Sequence, residues 1–329
     1  MHNKVVVTGA AGFIGSNLCE GLLERNYLVR GIDNLSMGNL DNLEDCTNSE
    51  RFEFVEEDVR NNEKMNELCA DSDVIVHLAA YKIPRYGNAT DTLLINHQGT
   101  KNILDAARQG SKKVVLASTS DVYGKNPNLP FSEDSDLVIG PSTVSRWSYA
   151  VSKIYDEHLA LAYQDAYNIP VSLIRFFGGY GPHQHLTWWG GPQSVFIGAA
   201  LRGKPMEIHG DGSQTRSFTY ISDHVEGIIR IIESERANGE IFNIGSTHEI
   251  TILDLAKTIN RLIHGNSDPL IQFVPYKSFT GKPYEDVMRR IPDISKAQRL
   301  LGYSWKVQLE DGLKRTIAWQ RLVEDRKHE

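Results

Sequence analysis

The stretch Val5-Val6-Val7-Thr8-Gly9-Ala10-Ala11-Gly12-Phe13-Ile14-Gly15-Ser16 decides how the rest of the chain is read. Three consecutive valines predict a short strand buried on both faces. Glycines then fall at 9, 12 and 15, as G-x-x-G-x-x-G. Gly9 allows a tight turn off the strand, Gly12 lets a pyrophosphate approach the backbone, and Gly15 lets the next helix pack close. That helix, predicted over residues 13–25 and opened by Phe13 and Ile14, aims its N-terminal N–H groups at the phosphates. The second predicted strand, 28–32, runs into Asp33 and Asn34. Asp33 stands eighteen residues after Gly15, where an acid can accept hydrogen bonds from an adenosine ribose. The same carboxylate repels a 2′-phosphate, so NAD is expected rather than NADP.

The chain has 329 residues, 40% hydrophobic and 23% charged, which suits a large core and two lobes. A net charge of −7 argues against nucleic acid as a partner, because phosphate binding needs a basic face. Cys19, Cys46 and Cys69 are odd in number and form no C-x-x-C pair, and the histidine spacing suggests no metal site. Reduced thiols in a cytoplasmic protein are the expectation. No charged segment and apolar run open the chain, and no apolar stretch approaches the roughly 18 residues of a membrane span. Neither secretion nor a membrane partner is expected.

Short apolar runs alternate with helical patterns through the first half. Strands are predicted at 4–8, 28–32, 52–55, 73–78, 113–118 and 171–176, and helices at 13–25, 61–70, 91–109 and 146–167. This alternation predicts an α/β fold: a parallel sheet with helices on both faces. Ligands of such sheets sit beyond the carboxyl ends of the strands. The rule selects Gly9 to Gly15, Asp33, Asp58-Val59, Leu78-Ala79-Ala80, Ser118-Thr119-Ser120-Asp121 and Phe176 to Gly181. After residue 176 Gly, Pro and aromatic residues become frequent, as in Trp188-Trp189-Gly190-Gly191-Pro192. Further elements are expected at 193–202, 206–208, 222–234, 241–244 and 251–264, with one late strand able to rejoin the first sheet.

Tyr149 and Lys153 stand at i and i+4, on one face of a predicted helix. A nearby ammonium stabilises a phenolate, so Lys153 is expected to lower the Tyr149 pKa and make it a usable base. Thr119, at a strand end about thirty residues upstream, can hydrogen-bond a substrate oxygen. Alone, Y-x-x-x-K is a common surface spacing; its company gives it weight.

That company is Gly9-x-x-Gly12-x-x-Gly15, Asp58-Val59, His77-Leu78-Ala79-Ala80, Asn96-x-x-Gly99-Thr100, Ser118-Thr119-Ser120 and Tyr149-x-x-x-Lys153, in that order. It continues through Arg175-Phe176-Phe177-x-x-Tyr180-Gly181-Pro182, Gly210-Asp211-Gly212-x-x-x-Arg216, Phe242-Asn243-Ile244-Gly245 and Arg290-x-Pro292-Asp293. The set resembles the extended short-chain dehydrogenase/reductase family, in particular its nucleotide-sugar epimerases, dehydratases and decarboxylases, over nearly the whole chain.

The resemblance implies a Rossmann-type doubly wound sheet in residues 1–176 that binds NAD. It implies a smaller C-terminal nucleotide-sugar-binding lobe in 177–329, interleaved with the first. Tyr149 would take the proton of the sugar 4-hydroxyl, Lys153 would hold the nicotinamide ribose, and Thr119 would orient the 4-oxygen. Arg216 and Arg290 match positions that grip the nucleotide diphosphate, Asp58 and Val59 would flank adenine, and Asn96 and Ser118 lie on the cofactor side. The 4-keto sugar could be reduced from its other face, lose a C6 carboxylate, or lose water. The 4-epimerase reading, on a UDP-sugar, comes first because it needs the fewest extra groups.

Decarboxylation of UDP-glucuronate comes second. Ser120-Asp121 is a shortened version of the Ser-Glu of decarboxylases, and Ser145-Arg146-Trp147-Ser148-Tyr149 resembles their segment before the tyrosine. Dehydratases carry two adjacent carboxylates where this chain has only Asp121. Gly178 replaces an Asn that usually helps hold substrate. Lys82 and Arg85 are candidates for an anionic sugar substituent. An NAD-binding regulator without turnover is the remaining alternative, and a homodimer through the Tyr149 helix and the helix after Asp91 is implied.

Overall fold

A computed structural model describes residues 4–82, 88–266, 268–275 and 285–326. The valine run forms β1 (Lys4–Thr8), and Val5, Val6 and Val7 are all fully buried. They face opposite sides: Val5 and Val7 join one apolar cluster, while Val6 joins another. Alternation across a strand buried on both faces needs helices above and below it. They are present. On one face lie α1 (Phe13–Glu24) and α7 (Ile221–Glu233). On the other lie α3 (Asn62–Cys69), α4 (Ala89–Arg108) and α5 (Trp147–Tyr167).

Around β1 the sheet adds β2 (Leu28–Asp33), β3 (Phe52–Glu56), β4 (Val74–His77), β5 (Lys113–Thr119), β6 (Val171–Phe176) and β11 (Ile241–Ile244). The spatial order is β11-β6-β5-β4-β1-β2-β3, and every pairing is parallel. This is a Rossmann-type doubly wound α/β sheet. The late strand β11 pairs with β6, so the sheet draws on chain well beyond residue 176.

Most of the described residues after β6, apart from α7 and β11, form a smaller α/β lobe beside the carboxyl ends of the strands. It holds α6 (Pro192–Leu201), α8 (Ile252–His264) and three two-stranded pairings, with the helix Leu309–Asp325 packed on α6 and α8. Sequence patterning placed the first-half elements within a few residues of these bounds. It missed the two- and three-residue strands and the helices Ser295–Leu301 and Leu309–Asp325. No described helix is long and apolar enough to cross a membrane.

The opening turn is close-packed. Gly9 has φ +72°, and a Cβ there would lie 2.8 Å from the Ala79 nitrogen. A Cβ on Gly15 would lie 2.0 Å from the Gly9 carbonyl oxygen, so α1 rests on the turn itself. Gly15→Ala is therefore expected to force α1 away from the turn and destabilise the fold by about 1–3 kcal/mol. Denaturant unfolding measures the loss, and NAD retention should fall with it.

Candidate active site

One cleft of about 1360 Å³ runs across the carboxyl ends of β1, β2, β4, β5 and β6 and under the second lobe. Its dinucleotide side is lined by Gly9, Gly12, Phe13, Ile14, Gly15, Asp33, Asn34, Asp58, Val59, Leu78, Ala79 and Ala80. Asp33 accepts hydrogen bonds from the Ala11 and Leu35 N–H groups at 3.0 and 2.8 Å, which fixes its carboxylate at the end of β2. Asp58 is chelated by the Arg60 guanidinium, whose hydrogen bonds hold it near 2, and accepts from Asn34 at 2.8 Å. The glycine turn, the helix start and the Asp33 carboxylate together suit NAD.

Asn96 does not line the cleft. It is buried, accepts from the Tyr81 N–H at 2.7 Å and donates to the Tyr81 carbonyl and to Ser152 Oγ at 3.2 and 3.0 Å. These bonds brace the loop after β4 against α5.

The other side of the cleft gathers Thr119, Ser120, Asp121, Tyr149, Lys153, Lys82, Gly178, Arg216 and Arg290, with Ser118 between the two sides. Arg85 lies outside the described residues. Thr119 ends β5, and its hydroxyl accepts from the Asp121 N–H at 3.2 Å, so the strand end is capped by the side chain. Asp121 contacts the Arg290 guanidinium directly, and Arg146 stands 3.8 Å from it. Burial would raise the Asp121 pKa, but Arg290, Arg146, Lys82 and Arg216 outweigh it and hold the carboxyl well below the usual range. Arg146 also lies 3.8 Å from Asp286, which accepts from Arg216 at 2.9 Å. Two carboxylates and three guanidiniums thus alternate along one wall. Burial, and the neighbouring Arg290 and Arg146, push Arg216 down to about 10, with Asp286 opposing.

Two expectations need correction. Lys153 does not lower the Tyr149 pKa in this structure: burial, Asp121 and Asp156 raise it. The reason is that the Lys153 ammonium is held by Asp156 at 3.2 Å, both side chains being buried. Secondly, Gly178 is more than a missing Asn. Its φ is +40°, and a Cβ would lie 2.2 Å from the Ser217 carbonyl oxygen, so a larger residue requires the neighbouring strand to move.

Several lining residues escaped the sequence reading as site members. Arg146 sits one turn before Tyr149 and lies over the Trp147 ring at 4.6 Å. Asp286 belongs to no sequence motif, yet it lines the cleft. His183, with φ +67°, places Nδ1 2.9 Å from Ser16 Oγ on α1. Gln193 Nε2 and Ser217 Oγ are buried in the cleft wall without a hydrogen-bond partner among the described residues. Trp188 stacks on His209 at 4.3 Å and Trp189 meets Tyr81 edge-on at 5.9 Å, so both tryptophans line the cleft and pack its rim.

The GDP-mannose 4,6 dehydratase family model matches residues 6–316. A UDP-N-acetyl-alpha-D-glucosaminuronate decarboxylase of Bacillus cytotoxicus is 39% identical, covering 99% of this chain and 100% of the relative. UDP-glucuronic acid decarboxylase 4 of Arabidopsis thaliana is 36% identical, covering 99% of this chain and 71% of the relative. Among solved structures, a UDP-glucuronic acid 4-epimerase of Bacillus cereus in complex with UDP-glucuronic acid and NAD superposes with a TM-score of 0.85. It is 34% identical, and the match covers 97% of this chain and 99% of that one.

Arg216→Ala removes a guanidinium from the wall. It is expected to weaken binding of UDP by about 10–100-fold, the worth of a hydrogen bond to a charged group, measured by calorimetry at fixed salt.

Proposed function

The chain belongs to the extended short-chain dehydrogenase/reductase family of NAD-dependent nucleotide-sugar enzymes, and we propose that within it the protein decarboxylates a UDP-linked hexuronate through a 4-keto intermediate. The observation that carries this reading is the wall of Arg146, Arg216 and Arg290 around an ionised Asp121, in the same cleft as Tyr149. Such a wall suits a substrate with anionic charge beyond its diphosphate.

NAD, which the glycine turn and Asp33 would hold, would supply a reversible hydride acceptor for C4. Tyr149 as phenolate removes the 4-hydroxyl proton, and Thr119 hydrogen-bonds the 4-oxygen. Lys153 would hold the nicotinamide ribose, and Arg216 would hold the diphosphate. Once C4 is a ketone, the C6 carboxylate belongs to a β-keto acid. The C5–C6 bond breaks, CO₂ leaves, the electron pair passes to the 4-oxygen as an enolate, and C5 then takes a proton from water, which restores the 4-ketone for reduction. Tyr149 and Thr119 stabilise that oxyanion.

Dehydration is disfavoured, because expelling a hydroxide needs a protonated acid and Asp121 is held ionised by Arg290 and Arg146. C4 epimerisation is the second reading, supported by the likeness to the Bacillus cereus 4-epimerase. The relatives' sequences move decarboxylation ahead of it. We also propose a homodimer through α4 and α5, whose surfaces expose Leu93, Leu94, Val151 and Tyr155.

Incubation with UDP-glucuronate or UDP-N-acetylglucosaminuronate is expected to release CO₂ and leave a UDP-pentose, identified by NMR. A product that keeps C6 with C4 inverted gives the reaction to the epimerase instead. Tyr149→Phe should lower turnover by about 10²–10⁴-fold. The activity of the wild type should climb toward alkaline pH, because burial, Asp121 and Asp156 favour the neutral phenol. Light scattering should give about twice the chain mass of 37.0 kDa.

A further inference from the structure

Beneath Tyr149 and Lys153 lies a buried acid that the mechanism above does not use. Asp156 stands one turn beyond Lys153 on α5, fully buried, with its Oδ2 3.2 Å from Lys153 Nζ. We propose that Asp156 is a positioning residue: it anchors the Lys153 ammonium at the back of the cleft, and it is the charge against which the Tyr149 phenolate must form. The inference rests on the reading of Tyr149 as base and Lys153 as its cationic partner.

Three observations carry it. First, the ammonium is buried, and a buried cation needs a counterion. Asp156 is the carboxylate within reach, since Glu157, the next acid on the helix, is occupied by Arg175 at 2.7 and 3.0 Å. Second, burial raises the Asp156 pKa, while Lys153 and, from α4, Thr100 and His97 oppose that rise and favour the ionised form. His77 on β4 adds no charge near the pair, because burial and Lys153 drop it to about 3 and leave it neutral. Third, the anchor keeps unspent hydrogen-bonding capacity. Asp156 Oδ1 and His97 Nδ1 are both buried with no hydrogen-bond partner among the described residues. Asp156 can therefore follow Lys153 when the lysine extends toward a ribose.

The sign of the effect follows from electrostatics. Asp156 disfavours the phenolate directly, and it also occupies the cation that would otherwise stabilise it. With Asn at 156, Lys153 loses its buried counterion and the phenolate loses one repelling charge. Tyr149 should then ionise at lower pH.

The test is the pH profile of kcat/KM for wild type, Asp156→Asn and Asp156→Glu. It is paired with a near-ultraviolet titration of the Tyr149 phenolate, read as each protein minus its Tyr149→Phe version. The ascending limb and the phenolate titration of Asp156→Asn should both move down by about one pH unit. Asp156→Glu should restore most of the wild-type position. Should Asp156→Asn fail to fold, Thr100→Val takes its place. It removes the hydroxyl that favours the ionised acid, so its phenolate titration should also move down. Profiles that superimpose on wild type, or a shift upward, overturn the anchor. Full turnover by Tyr149→Phe overturns the base assignment and the anchor with it. A downward shift with no CO₂ released sinks the decarboxylase reading alone.

Discussion

The geometry of the cleft depends on an ion pair outside it. Arg175 on β6 grips Glu157 on α5 through two hydrogen bonds of 3.0 and 2.7 Å, and Ser118 on β5 donates to the same carboxylate. The remaining Arg175 donors go to the Tyr123 hydroxyl and the Glu133 carbonyl, both at 3.0 Å. The Tyr123 hydroxyl in turn donates to Asn243 Oδ1 on β11 at 2.7 Å. Glu157 follows Lys153 by four residues and Tyr149 by eight, so all three lie on one helix face. Fixing Glu157 fixes the rotation of α5 and hence the aim of the other two. Removing one partner of such a buried pair costs about 3–5 kcal/mol. Here the cost would be felt as a misaimed phenol as well as lost stability.

The parts of the protein that were legible in sequence are those where one residue type serves one local purpose. Valine runs bounded by glycine have few other uses than a buried strand and a turn, and β1 to α1 fell where patterning put them. The Tyr149–Lys153 spacing is a property of one helix. Arg146 and Asp286 are different. They meet only because α5 starts where the loop before Arg290 crosses the cleft, 140 residues on in sequence. No period or motif encodes that meeting. The short strands of the second lobe are equally invisible, being two or three residues long and made by pairing rather than by propensity.

Spacing also misled in one instructive way. A lysine four residues from a tyrosine was read as its electrostatic partner, but a lysine can serve only the anion it reaches. Asp156 is three residues away and buried beside it, so it takes the ammonium. The sequence Lys153-Ile154-Tyr155-Asp156 contained the signal, since an i,i+3 acid on the same helix face competes with an i−4 phenol. What it lacked was burial, which turns a weak surface pairing into a firm one.

The same reasoning bears on the arginine wall. Three guanidiniums this close would repel one another without counterions; burial lowers Arg216 most, and Arg290 and Arg146 add to it. Asp121 and Asp286 keep the wall assembled. An arriving diphosphate or carboxylate must therefore compete with these internal acids, which costs affinity. In return the guanidiniums stay oriented, and less side-chain entropy is lost on binding. The arrangement also separates two tasks that one acid could otherwise confuse. Because Asp121 is committed to Arg290 and Arg146, it stays a fixed negative charge and is a poor proton donor. On the reading proposed above, chemistry that needs no acid at C6 is then favoured over chemistry that does, and departure of CO₂ from a β-keto acid is of the first kind.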